Sequence, residues 1–333
     1  MPTATPDADN APKTPQGYLD IHVHYTLPAH SAQEAHDAIT HMRENDFLID
    51  PNFSWSLDKT LATMDAHNIQ MGMLGCPVVP SSQIREANIH GAELVKKHPS
   101  RLGLLCGLPT DDAEACLREI EFGREELHCD GFWVNPIRNG VRSSDPSLGG
   151  VWTRLDELGA VVWAHPDPNS HSVDGRPGAL MEVTYEMQRV IIDQIYRKHF
   201  LRFPNVKHVY ANCAGGFLGV VGRLEMVGTE DWVPNPTHVS KEEIEEQVRK
   251  LWVDIAAAAE DGIGVSVRHL GPERVVFGSD TGAPCMCMNV ETMEVNRRAM
   301  LKWERELGMR EGMIGMNGWQ LFPEATARAR AGL

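Results

Sequence analysis

Two histidines stand one residue apart in Tyr18-Leu19-Asp20-Ile21-His22-Val23-His24, where apolar Leu19, Ile21 and Val23 alternate with Asp20, His22 and His24. A strand over 18–24 sends alternate side chains to opposite faces, so both imidazoles fall on the same face. At about 3.3 Å of rise per residue their backbones are roughly 6.6 Å apart, a gap that converging rings can close onto one metal ion. The stretch offers half a metal site, and a plain polar strand face is the alternative. Further ligands decide between them. His165 closes the run Ala160-Val161-Val162-Trp163-Ala164-His165 before Pro166, and Asp280 closes Arg274-Val275-Val276-Phe277-Gly278-Ser279-Asp280. Three imidazoles and one carboxylate suit a single divalent ion with room left for water or substrate.

The elements that must position these groups follow a rhythm. After the first strand, apolar runs at 71–76, 101–108, 130–135, 160–165, 207–213, 251–256 and 274–280 alternate with helical patterns at 58–67, 83–97, 112–127, 150–158, 180–200, 240–250, 260–269 and 290–307. Short buried strands alternating with amphipathic helices predict a parallel sheet covered by helices, and eight such units predict an α/β fold of the (β/α)8 TIM barrel type. An open doubly wound sheet would carry a Gly-rich phosphate loop after its first strand, which is absent here. In a barrel the chemistry lies at the C-terminal ends of the strands, where His22, His24, His165 and Asp280 all fall. Residues 28–56 are expected to form an irregular insertion capping the barrel, with Ser56 as the N-cap of the next helix. The expected organisation is a flexible tail at 1–16, one barrel domain at 17–333 and a short terminal helix.

A formal charge of −15 makes nucleic acid and anionic membranes poor partners. Residues 1–16 lack an apolar core and read as neither a signal peptide nor a transmembrane span. The seven cysteines are an odd, scattered set, expected to be reduced thiols in a cytoplasmic protein. Of these, Cys285-x-Cys287 with Met286 and Met288 reads as a soft apolar patch rather than a metal signature.

The His22-x-His24 pair, His165-Pro166 and Phe277-Gly278-Ser279-Asp280 resemble the amidohydrolase superfamily. The resemblance extends from Tyr18 to Pro323 through Tyr185-Glu186-x-x-Arg189, Phe203-Pro204-Asn205, Asn317 and Leu321-Phe322-Pro323. It is strongest to the branch containing aminocarboxymuconate semialdehyde decarboxylase and the nonoxidative aromatic acid decarboxylases. It implies the barrel, a homodimer, and one divalent metal, zinc ahead of manganese, on His22, His24, His165 and Asp280. The branch's usual histidine at the end of strand 6 is missing: Val209-Tyr210-Ala211-Asn212-Cys213-Ala214-Gly215-Gly216 puts Asn212 or Cys213 there. Asparagine hydrogen-bonds a substrate but takes no proton at neutral pH, whereas a thiol lowered by a metal can.

The expected activity is removal of CO2 from an aromatic or unsaturated carboxylic acid, with hydrolysis or hydration on the same scaffold, or silent binding, as alternatives. Asp280 is expected to shuttle the proton, Asn212 to hold substrate and His171 to stand in for the missing imidazole. Arg189 and Arg138 are expected to bind a carboxylate, Trp55 to wall the pocket and Cys213 to touch the substrate.

Overall fold

The computed structural model describes residues 15–29, 31–44, 49–167, 175–283 and 290–332 of the 333. Eight parallel strands follow one another around a single sheet: β1 (Tyr18–His24), β2 (Ile69–Gly75), β3 (Leu102–Gly107), β4 (Gly131–Val134), β5 (Val161–Ala164), β6 (Lys207–Tyr210), β7 (Trp252–Asp254) and β8 (Val275–Val276). The strands are buried on both faces almost throughout, which is why they read as continuous apolar runs. The ring closes where the chain beyond β8 runs beside β1. Ile21 N–H donates to Phe277 O at 3.1 Å, Asp280 N–H to His22 O at 2.9 Å and His24 N–H to Thr281 O at 2.8 Å. The fold is the (β/α)8 barrel that the alternation of elements predicts.

Two tryptophans fill the barrel interior. Trp133 and Trp163 are register partners on β4 and β5 and are fully buried. Glycine makes room for each: a Cβ on Gly107 would lie 2.3 Å from the Trp133 ring, and one on Gly75 2.9 Å from the Trp163 ring.

The helices differ from expectation in places. The insertion at 28–56 is not irregular throughout, because it carries α1 (Ala32–Glu44), a helix with no buried residue. It returns through Ser56, whose hydroxyl accepts from Lys59 N–H at 3.4 Å and caps α2 (Leu57–Ala66). Next come α3 (Ile84–Lys97), α4 (Ala113–Glu125) and α5 (Gly149–Glu157). The helix expected at 180–200 is broken into α6 (Glu182–Tyr196) and α7 (His199–Arg202) because Lys198 is left-handed, with φ 53°. After β6 the chain turns before reaching α8 (Val221–Val227), followed by α9 (Lys241–Val248), α10 (Ala259–Leu270) and α11 (Val290–Glu306).

The chain then crosses beneath the barrel through α12 (Met313–Met316) and ends in α13 (Pro323–Ala331). On the way Asn317 Nδ2 donates to Pro272 O and Val275 O, both at 2.8 Å. Arg328 of α13 forks onto Asp130 at 3.0 and 2.8 Å, tying the last helix to the foot of β4. Of the tail expected at 1–16, residues 1–14 lie outside the described residues, while Gln16 and Gly17 donate to Gln70 Oε1 at 2.8 and 3.2 Å. No helix among the described residues is long and apolar enough to cross a membrane.

Candidate metal centre

Strand geometry delivers the histidines to one rim. His22 and His24 share a face at the C-terminal end of β1, and His165 follows β5 directly. Their nearest ring nitrogens all lie within 4.8 Å of one another, and His22 Nε2 and His24 Nε2 are 3.1 Å apart. Asp280, left-handed at φ 61° where the chain leaves β8, brings Oδ1 to 2.9 Å from His24 Nε2 and 3.3 Å from His22 Nε2. Aspartate is one of the few residues that tolerates this backbone. All four side chains are buried.

The donor set fits a divalent cation. Asp280 Oδ1 is buried and close to two nitrogens, yet it forms no hydrogen bond of good geometry, which marks a group facing a shared point rather than an N–H. The far nitrogens of two rings are occupied: His22 Nδ1 lies 3.1 Å from Asp254 Oδ2, and His165 Nδ1 lies 2.7 Å from Pro166 O. Protonating each Nδ1 leaves the Nε2 lone pair free to ligate, the arrangement seen around metal-bound histidine. The carboxylates also make this a place that draws positive charge, which a proton on His22 supplies when no cation is bound. Burial opposes charge on His22, but the Asp254 and Asp280 carboxylates outweigh it and lift its pKa to about 10. Burial also opposes charge on Asp280, but His22 and His24 hold its carboxyl well below the usual range. His165, with burial, His24 and His22 all against its charge, is pushed well down and stays neutral.

Asp254, at the end of β7, organises the site, and sequence reasoning passed it over. Its Oδ2 faces His22 and accepts from Trp163 Nε1 at 2.9 Å, while Oδ1 accepts from Asn212 N–H at 3.1 Å and Ala256 N–H at 3.0 Å. The available signal was a lone acid in the apolar run 251–258, which burial obliges to find partners. Asp20 was also missed. Its Oδ1 accepts from His22 N–H and Ser279 N–H, both at 3.0 Å, bridging the strands that carry three of the four candidate ligands, and burial lifts its carboxyl to about 7.

The other expected site residues fall in different places. Asn212, Cys213 and Ala214 form a left-handed turn after β6, at φ 55°, 51° and 61°, a strain of about 1–2 kcal/mol for each residue. Asn212 spends its side-chain N–H on Ala256 O at 3.1 Å and its backbone N–H on Asp254. The Cys213 thiol lies beside Ser266 of α10, and burial pushes it up to about 12. Arg138 is buried, with its Nη groups on Val79 O (3.1 Å), Ser81 Oγ (3.4 Å) and Asn135 Oδ1, so it clamps loops at the rim. Arg189 projects from α6 with 59% of its side chain exposed and lies 3.9 Å from Glu182. His171 and the Cys285-x-Cys287 pair lie outside the described residues.

A cleft with ≈ 620 Å³ of open space runs up to Asp280 between the returning insertion, α2 and α11. Trp55, Phe53, Lys59, Asp280, Thr281 and Met293 line it. Trp55 Nε1 is buried there with no hydrogen-bond partner. Lys59 is the cation among the lining residues.

The barrel, with its histidines and aspartate at the C-terminal rim, defines a metal-dependent enzyme-type centre. The chain belongs to the family described as Amidohydrolase, whose model matches residues 19–284. It is 25% identical over 231 residues to decarboxylase yanB of Aspergillus niger, covering 62% of each chain. It is 29% identical over 205 residues to 2-amino-3-carboxymuconate-6-semialdehyde decarboxylase of Dictyostelium discoideum, covering 59% of this chain and 55% of that protein. These matches thus span somewhat over half the length of the curated relatives. Among solved structures, a dihydroxybenzoic acid decarboxylase from Polaromonas, with bound manganese and the inhibitor 2-nitroresorcinol, superposes with a TM-score of 0.70 at 18% identity, covering 92% of this chain and 97% of that one.

Proposed function

We infer that the protein is a metal-dependent, nonoxidative decarboxylase of an aromatic or unsaturated carboxylic acid. The observation that carries this reading is the convergence of His22, His24, His165 and Asp280 on one point at the end of a cleft. Support comes from the decarboxylases to which the chain is similar. Three imidazoles and one carboxylate would hold one divalent cation, and a nitrogen-rich donor set favours zinc over manganese. When bound, such an ion supplies positive charge that steadies the electron-rich side of the reaction.

The chain's own residues do the rest. Lys59 would attract the substrate carboxylate into the cleft, and the Trp55 and Phe53 rings would hold its unsaturated body. Asp280, buried, ionised and lining the cleft, would take up a proton from the acid itself or from water and hand it to the carbon bearing the carboxylate as the bond to CO2 breaks, so that a C–H bond replaces a C–C bond. Asp254 would keep His22 in the ligating tautomer, and Asn212 would hold Asp254 rather than the substrate. His171, Cys213, Arg138 and Arg189 remain proposed contributors to substrate binding or proton transfer. The chain is proposed to work as a homodimer. A reducing, cytoplasmic location is supported by free thiols at Cys76, Cys106, Cys116, Cys129 and Cys213.

The test is CO2 release by the metal-loaded protein from a panel of hydroxybenzoates and muconate-type acids, run in ¹⁸O water. Release of CO2 with no ¹⁸O in the organic product is expected. Incorporation of ¹⁸O without CO2 would replace this reading with hydrolysis or hydration.

A further inference from the structure

A second cavity opens at the opposite end of the barrel, where β6, β7 and β8 begin, with ≈ 410 Å³ of open space. Its lining carries Lys207, Lys250 and Arg274 together with His208, Trp252 and Phe203, and no carboxylate. In a chain with a formal charge of −15 this is a local reversal of sign. Lys250 shares its charge with Glu246 at 3.1 Å, while the Arg274 guanidinium lies over the Trp252 ring, 4.8 Å from its centre. Residues at this face of a barrel ordinarily serve stability, but Lys207 and Arg274 have no acidic partner among the described residues, and like charges lining one cavity repel one another. Two buried ring nitrogens add to the case. His208 and Trp252 are 4% and 7% exposed, and His208 Nε2 and Trp252 Nε1 have no hydrogen-bond partner. Orphaned buried polar atoms call for an occupant. A bound oxyanion would offset the repulsion and accept from both rings.

We propose that this cavity binds a small tetrahedral oxyanion, the phosphate group of either inorganic phosphate or an organic monoester, through Arg274, Lys207, Lys250 and the ring N–H groups of Trp252 and His208. Guanidinium and ammonium groups match phosphate oxygens in charge and hydrogen bonding. Burial pushes His208 down to about 3, so its ring is neutral, and in the tautomer protonated at Nε2 it would contribute a donor rather than a charge. The chain's overall negative charge disfavours long polyanions and so favours a small ligand.

Calorimetric titration of the metal-loaded protein with inorganic phosphate and, separately, phenyl phosphate, at fixed ionic strength, tests the site. Saturable binding of at least one of them is expected, weakened about tenfold or more in Lys207→Gln/Arg274→Gln. Lys207→Gln alone, at an exposed position, should weaken binding in the same direction without touching the fold. Unchanged metal content and melting temperature show that the variants are intact. Tighter binding of phenyl phosphate points to a monoester held by the rings, and equal binding points to the free ion. No saturable binding of either, or binding that the double substitution leaves unchanged, overturns the proposal.

Discussion

At the scale of single residues, the centre depends on groups that set the direction of its ligands. Asp254 does so for His22, and Asp254→Asn keeps the shape while allowing the wrong hydrogen-bond polarity. Metal affinity is expected to fall about 10- to 100-fold in this variant, measured by competition with a chromogenic chelator; an unchanged affinity would remove Asp254 from the account. Lys59→Met is expected to raise KM about tenfold with kcat nearly unchanged, as the loss of uniform binding requires. A fall in kcat at constant KM would place Lys59 in the chemistry instead. The candidate ligands were legible through their joint placement: His22, His24, His165 and Asp280 fall together at the ends of three apolar strands, though each alone would read as structural. Asp254 was not, because one acid at a strand end also reads as a turn. Nor was the role of Arg138, because which carbonyls meet its fork depends on how separate loops fold together.

At the scale of elements, the strands were read closely and the connections less so. Apolar runs bounded by proline at Pro77, Pro109, Pro136 and Pro166 gave good strand positions. The left-handed turn at Asn212–Ala214 was hidden because cysteine and alanine carry no preference for that backbone. The helix in the insertion was passed over although Ala35, Ile39 and Met42 recur at helical spacing, because that stripe is short and only half-buried, with Ile39 and Met42 against Ile49. Interior packing gives a sharp test. Gly107→Ala sets a methyl group 2.3 Å from the Trp133 ring, and overpacking of this kind is expected to cost about 3 kcal/mol in urea denaturation. Stability unchanged within error would mean that the tryptophan is free to move aside. Arg328→Ala, which strips a forked partner from the nearly buried Asp130 side chain, is expected to cost about 2 kcal/mol by the same measurement.

At the scale of the whole molecule, the two ends of the barrel carry different electrostatics and respond differently to acid. His208 titrates near 3 when folded, against about 6.5 in an unfolded chain. The unfolded state therefore binds the extra proton between those values. Stability from this group is full above pH 6.5 and is lost progressively as pH falls toward 3. His208→Phe should flatten that acid limb by on the order of 2 kcal/mol between pH 7 and pH 4, and an unaltered limb would contradict the assignment. At the other end lies the proposed metal centre of three histidines and one aspartate. Elemental analysis of the wild type and of His165→Ala/Asp280→Ala, both purified without chelator, tests this most directly. The account predicts about one divalent ion per chain in the wild type and loss of most of it in the variant, with the fold intact by circular dichroism. No metal in the wild type, or equal metal in both, would contradict it.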